Sequence, residues 1–168
     1  ITASLLPFLL SFNRIPEGAI VCMNAGWSDK PPNKNLVFGS DTPDDPATFN
    51  FPGWHEDTVE WLIDNRNIKV IGVDTPSTDY AKSTNYTVHQ IIGARNISGL
   101  ENVANLDAVP ESGSIVFVAA FKLYDGSGGQ ARTFATVAKE MSGDAAVNLT
   151  NRFLIGVMVM FYCFATLH

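Results

Sequence analysis

Apolar residues fall into short blocks separated by polar, turn-forming stretches. Gly18–Asn24 (GAIVCMN) follows a Pro16-Glu17 turn and is β-branched and apolar, which predicts a buried strand. Trp27–Pro46 is rich in Pro, Asn, Asp and Ser without periodicity and reads as a long loop. After a turn at Phe51-Pro52-Gly53-Trp54, Val59, Leu62 and Ile63 share one helical face, with Glu56, Glu60 and Asp64 outside. Ile68–Val73 (IKVIGV) predicts the next buried strand. Strand, helix and strand in succession read as a βαβ unit, hence an α/β or mixed sheet. Val88, Ile91 and Ile92 predict a short helix that carries His89. Gly113–Phe121 predicts an apolar strand, Asp125–Gln130 a glycine-rich loop, and Ala131–Ala138 an alternating strand. Ala3–Phe12 reads as an amphipathic helix; a signal-peptide core is the weaker alternative, for want of a basic flank.

The C-terminal block Phe153–Leu167 is uncharged and nearly all apolar. As a helix it would reach about 22 Å, short of a hydrocarbon core of about 30 Å. Small residues (Ser142, Gly143, Asp144, Ala145, Ala146) and a polar spacer precede it, the pattern of a GPI-attachment signal. A tail anchor and a buried terminal element remain open beside that reading. Attachment would imply the secretory pathway and the cell surface. The sequons at Asn85, Asn96 and Asn148 fit, although a chain this rich in Asn, Ser and Thr would carry about two by chance. If the tail is only a buried element, a cytoplasmic location follows.

Composition narrows the function. The chain has 168 residues, 46% hydrophobic and 17% charged, enough for one folded domain and unlike a disordered segment. A net charge of −6 leaves no basic surplus for nucleic acid. Two cysteines make no disulfide framework, and Cys22, inside an apolar strand without a basic neighbour, should be inert. Gly126-Ser127-Gly128-Gly129 lacks the spacing of a P-loop. No nucleophile elbow, HExxH motif, EF-hand or dinucleotide fingerprint occurs.

The remaining chemistry gathers in three places. Asp74-Thr75-Pro76-Ser77-Thr78-Asp79 follows the second strand, where open α/β sheets place their sites; Asp74, Ser77 and Asp79 are the pocket candidates. His55, at a helix start beside Glu56 and Asp57, reads as a solvated or capping residue. His89 lies twelve residues before Glu101, whose neighbours Leu100, Val103 and Leu106 predict a partly buried carboxylate in need of a partner. Imidazole nitrogen and carboxylate oxygen suit Zn²⁺ or Mn²⁺, but two donors alone make no metal site.

The ordered set Phe51-Pro52-Gly53, Ile71-Gly72-Val73-Asp74-Thr75-Pro76-Ser77-Thr78-Asp79, His89, Glu101-Asn102-Val103-Ala104-Asn105-Leu106-Asp107 and Gly126-Ser127-Gly128-Gly129-Gln130-Ala131-Arg132 resembles the C-terminal half of the cyclase superfamily. That superfamily includes bacterial-type kynurenine formamidases and isatin hydrolases. Ile15–Val21 and Gly26-Trp27 resemble its middle strand. The resemblance implies an α/β fold, a swivelling β/β/α cyclase-like domain that is incomplete at its N-terminus. Residues 1–141 would be the hydrolase portion and residues 142–168 the attachment site, spacer and tail. It implies a metal-dependent amide hydrolase of arylformamidase type, converting N-formylkynurenine to kynurenine and formate. Its metal would be Zn²⁺ or Mn²⁺, its ligands would include His89 and Glu101, and its partner would be a small-molecule amide; assembly as a homo-oligomer stays open. The family's other ligands and its acid/base His lie in a motif His-x-Gly-Thr-His-x-Asp-x-Pro-x-His, which this sequence lacks. With Ile1 in place of an initiator Met, the expectation is the second half of a longer enzyme, inactive by itself. A non-catalytic relative that is secreted or membrane-attached, and an inactive fragment, are the competing readings.

Overall fold

The computed structural model describes residues 15–121, 123–137 and 161–166. Six strands form one mixed sheet: β1 (Ile20–Met23), β2 (Val70–Val73), β3 (Ser98–Glu101), β4 (Ile115–Ala120), β5 (Gly129–Thr136) and β6 (Phe161–Thr166), in spatial order β1-β2-β3-β6-β5-β4. The first three run parallel, with Cys22 opposite Gly72 and Gly72 opposite Leu100. The other three join antiparallel, β3 to β6 through Leu100–Ala165 and β5 to β4 through Phe134–Phe117. Parallel strands need crossovers, which the helices α1 (Lys34–Phe38), α2 (Glu56–Arg66) and α3 (Thr87–Ala94) supply.

The local reasons are legible residue by residue. His55 caps α2, its Nδ1 accepting the Asp57 amide at 3.3 Å, and Asn67 ends the helix in the left-handed region at φ 45°. Glu56 and Asp57 in the first turn and Arg66 in the last complement the helix dipole. Val59 and Leu62 are fully buried, each worth roughly 1.5–3 kcal/mol of transfer free energy. They meet Ile71, Val73, Val88 and Ile92 in the core between sheet and helices. Leu100 and Val103 lead a second core with Ala131, Val70, Val118 and Ala120, which binds the antiparallel strands to the parallel half.

Two elements depart from the sequence expectation. The loop Trp27–Pro46 contains the short helix α1, capped by the Asn33 side chain and ended by Gly39 at φ 58°. Ser98–Glu101, short and carrying a glycine and a glutamate, is nonetheless a strand, because Val70 to Gly72 offer it a parallel edge. Within the apolar tail, Phe161–Thr166 form β6 between β3 and β5. Ala3–Phe12, the small-residue segment 142–146, Asn148 and the rest of the tail lie outside the described residues, as do the expected domain limits at 141 and 142. Asn85 and Asn96 are exposed, and Asn96 precedes β3 at the end opposite Glu101. Among the described residues no helix is long and apolar enough to cross a membrane.

A short strap braces the segment after β2. The Trp54 amide donates to the Thr78 carbonyl at 2.8 Å, the Ala81 amide to the Phe51 carbonyl at 3.0 Å, and the Trp54 indole to the buried Gly72 carbonyl at 3.0 Å. Phe51–Trp54 thus lies against the chain that leaves β2. A Cβ at Gly53 would collide with the backbone of Asp79 and Tyr80. Gly53→Ala should therefore cost at least about 2 kcal/mol in chemical denaturation, since backbone cannot yield as a side-chain tip does. A variant within about 0.5 kcal/mol of the parent would show that the strap moves freely.

Candidate functional site

The carboxyl ends of the parallel strands bring the three predicted regions together. β2 runs into Asp74–Asp79, β3 ends at Glu101, and α3 starts beside both. The exits are tied: the Asn102 amide donates to the Thr75 carbonyl at 2.9 Å, and the Val103 amide to the Val73 carbonyl at 3.0 Å. The Thr78 amide donates to Glu101 Oε1 at 3.2 Å.

His89 stands at the centre. Its Nδ1 lies 2.6 Å from Asp79 Oδ2, and its Nε2 lies 3.2 Å from Glu101 Oε1. The Thr78 hydroxyl is a further neighbour of Nδ1 at 3.3 Å. The tertiary structure thus pairs the two residues singled out as ligand candidates, although a helix and a strand separate them along the chain. His89 is partly accessible, with 28% of its side chain exposed, and Tyr86 meets it edge-on at 6.2 Å. Among the described residues no group of three or more His, Cys, Asp or Glu is arranged to hold a metal ion.

Two pocket candidates take other roles. Asp79 is 2% exposed. Its Oδ1 accepts the Val88 amide at 2.9 Å and the Ser83 hydroxyl at 3.2 Å, and its Oδ2 accepts the His89 amide at 3.1 Å. Tyr86, at the head of α3, makes no side-chain cap, so Asp79 caps the helix from the preceding loop. Asp74 is also buried, and its two oxygens accept the Ala25 and Trp27 amides, holding the loop after β1. Asp74 is thus engaged by backbone amides, and Asp79 by two backbone amides, the Ser83 hydroxyl and the His89 ring. Ser77, which is half-buried, accepts the Asp79 amide on Oγ at 3.2 Å and keeps its hydroxyl proton to donate. Thr78, fully buried between Glu101 and His89, joins the site without a sequence signal of its own, apart from its place before Asp79.

Electrostatics follow the geometry. Hydrogen bonds to Asp79 first, then to Glu101, push the His89 imidazole from 6.5 up to about 9, against the effect of burial. For Asp79, burial acts upward, but the bonds from His89 and the helix amides outweigh it and hold the carboxyl below its ordinary value. Without a metal, His89 is an imidazolium at neutral pH, donating to a carboxylate on each side. Burial, aided by Asp74, pushes the Cys22 thiol up to about 12, so Cys22 is no nucleophile. A raised histidine stabilises the folded state fully below its unfolded value and loses that contribution as pH rises through the folded one. In metal-free buffer the stability gap between the parent and His89→Gln should narrow as pH rises from 6.5 through about 9. Denaturation series across that interval measure it; a constant gap would show that the imidazolium is not held.

Known proteins resemble this chain in sequence and in fold. The family model described as putative cyclase matches residues 2–80, which include Asp74–Asp79 but stop short of His89. Isatin hydrolase of Roseibium aggregatum is 28% identical over 129 residues, covering 74% of this chain and 47% of that protein. Kynurenine formamidase of Bordetella petrii is 41% identical over 64 residues, 38% of this chain and 30% of that protein. Among solved structures, isatin hydrolase A from Ralstonia solanacearum superposes with a TM-score of 0.67 at 23% identity, covering 100% of this chain and 53% of that one. Isatin hydrolase A from Labrenzia aggregata gives 0.65 at 21%. The chain thus spans about half the length, or less, of the relatives it matches. Over residues 2–80 the chain is similar to the cyclase family, and its mixed α/β fold is like that of the isatin hydrolase structures.

Proposed function

We propose that this chain contributes two ligands, His89 and Glu101, to a metal-dependent amide hydrolase acting on an aryl amide or arylformamide. The observation that carries the proposal is the 3.2 Å approach of His89 Nε2 to Glu101 Oε1, at the carboxyl ends of parallel strands. The donor set fits: one imidazole nitrogen and one carboxylate oxygen, both partly accessible, suit Zn²⁺ or Mn²⁺ as part of a coordination shell. When bound, such an ion supplies Lewis acidity toward a carbonyl oxygen and toward water.

The chain's own residues do the holding. Thr78 fixes one Glu101 oxygen through its amide, and the strap Phe51–Trp54 fixes Thr78. Ser77 offers a hydroxyl proton at the same strand end. Two donors leave the shell open, and the family's histidine-rich motif is absent from these 168 residues. The intact site therefore draws further ligands from elsewhere, and the isolated chain is expected to be inactive toward N-formylkynurenine. The isatin hydrolase and kynurenine formamidase relatives support the amide-hydrolase class.

Metal analysis tests the reading. In a protein that joins this chain to an upstream segment bearing the histidine motif, His89→Ala and Glu101→Ala should each lower bound Zn²⁺ or Mn²⁺ and reduce formamide hydrolysis at least about 100-fold. Unchanged metal content in both variants would remove the assignment. Robust, chelator-sensitive hydrolysis by the 168-residue chain alone would overturn the expectation of inactivity.

A further inference from the structure

The Asp79 carboxylate does more than cap a helix. Four donors converge on its carboxylate: the Val88 and His89 amides, the Ser83 hydroxyl and the His89 ring. A helix cap needs only the first two. The ring contact, at 2.6 Å, is the shortest of the four and points the imidazole in one direction. Because Oδ2 takes both the backbone amide and the ring Nδ1 of His89, the residue is clamped at two points. Rotation about its side-chain torsions would break the ring contact while the amide contact stayed.

We propose that Asp79 is the positioning residue of the site: its carboxylate holds the proton of His89 on Nδ1 and aims Nε2 toward Glu101 as the atom that binds metal. This rests on the reading of His89 as a ligand. An acceptor-only carboxylate at Nδ1 permits one neutral tautomer, the one with Nε2 free. It also raises the basicity of the nitrogen that binds. Thr78, whose hydroxyl is 3.3 Å from the same Nδ1, is either donor or acceptor and cannot make that choice by itself.

Asp79→Asn keeps one cap bond, from the Val88 amide to its amide oxygen, and loses the other, because the group in the place of Oδ2 faces both the amide and the ring of His89. Its NH₂ group, turned to the ring, favours the opposite tautomer with the proton on Nε2. Zinc affinity of the protein carrying the complete site should fall about 10- to 100-fold in Asp79→Asn. It should fall at least as far in His89→Ala, and Asp79→Asn should cost nothing more in the His89→Ala background. A further loss there would mean that Asp79 acts through folding, and would overturn the proposal. Full affinity in Asp79→Asn alone would overturn it as well, while leaving His89 a ligand. Full affinity in His89→Ala would instead remove the ligand reading, and the proposal with it. A check that needs no variant is the ¹⁵N spectrum of labelled histidines in the zinc-loaded parent protein. His89 should show a protonated Nδ1 and a metal-shifted Nε2; the reverse pattern would overturn the proposal.

Discussion

A buried carboxylate has to be satisfied or it unfolds its surroundings, and in this protein that requirement falls on Asp79. Its four hydrogen bonds join the loop after β2, the start of α3 and the ring of His89. Each of those elements is poor at standing alone. α3 is eight residues long and lacks a side-chain cap from Tyr86. The loop Asp74–Asp79 has no regular structure. Tying them through one charged group makes the helix start and the imidazole orientation a single event.

The surrounding packing serves the same point. Gly53 and Trp54 press against Thr78–Tyr80, closely enough that no side chain fits at residue 53. Asp74 repeats the device on a smaller scale by holding the amides of Ala25 and Trp27. The sheet supplies the frame. Parallel pairing of β1, β2 and β3 sends all three exits to one end, so that loops far apart in sequence converge there. The antiparallel half contributes Ala131, Val118 and Ala120 to the second core. On its edge, β4 leaves Ile115 and Phe117 exposed, with Phe117 stacked on Phe134 at 4.8 Å.

The His89 ring has a carboxylate beside each of its nitrogens. Two carboxylates, one at each ring nitrogen, make a charged imidazole favourable and push its titration to about 9. In the proposed reading a metal ion would take the place of the proton on Nε2, because Glu101 faces the same space. The two uses would differ only at Nε2; at Nδ1 the hydrogen bond to Asp79 suits both.

Much of the molecule can be read from residue order. The βαβ unit follows from Ile20–Met23, the Val59 and Leu62 face, and Val70–Val73, because period and apolarity are local properties. His55 as a cap and Cys22 as an inert thiol are likewise local. The candidate pair His89 and Glu101 is visible as residue types with a plausible neighbourhood, and the motif order points to the family. Position in space is not visible. Asp74 and Asp79 look alike in sequence, each a carboxylate past a strand, and both resemble pocket residues. Only the folded chain shows that their oxygens are consumed by amides 47 to 49 residues away for Asp74, and by the helix start and imidazole for Asp79. The strand Ser98–Glu101 is hidden for the same reason: its weak propensity is overridden by the edge that β2 offers. The sequence determined which groups could do chemistry and in what local elements they sit. Which oxygen faces which nitrogen was decided by long-range pairing, because hydrogen bonds between distant segments leave no period in the chain.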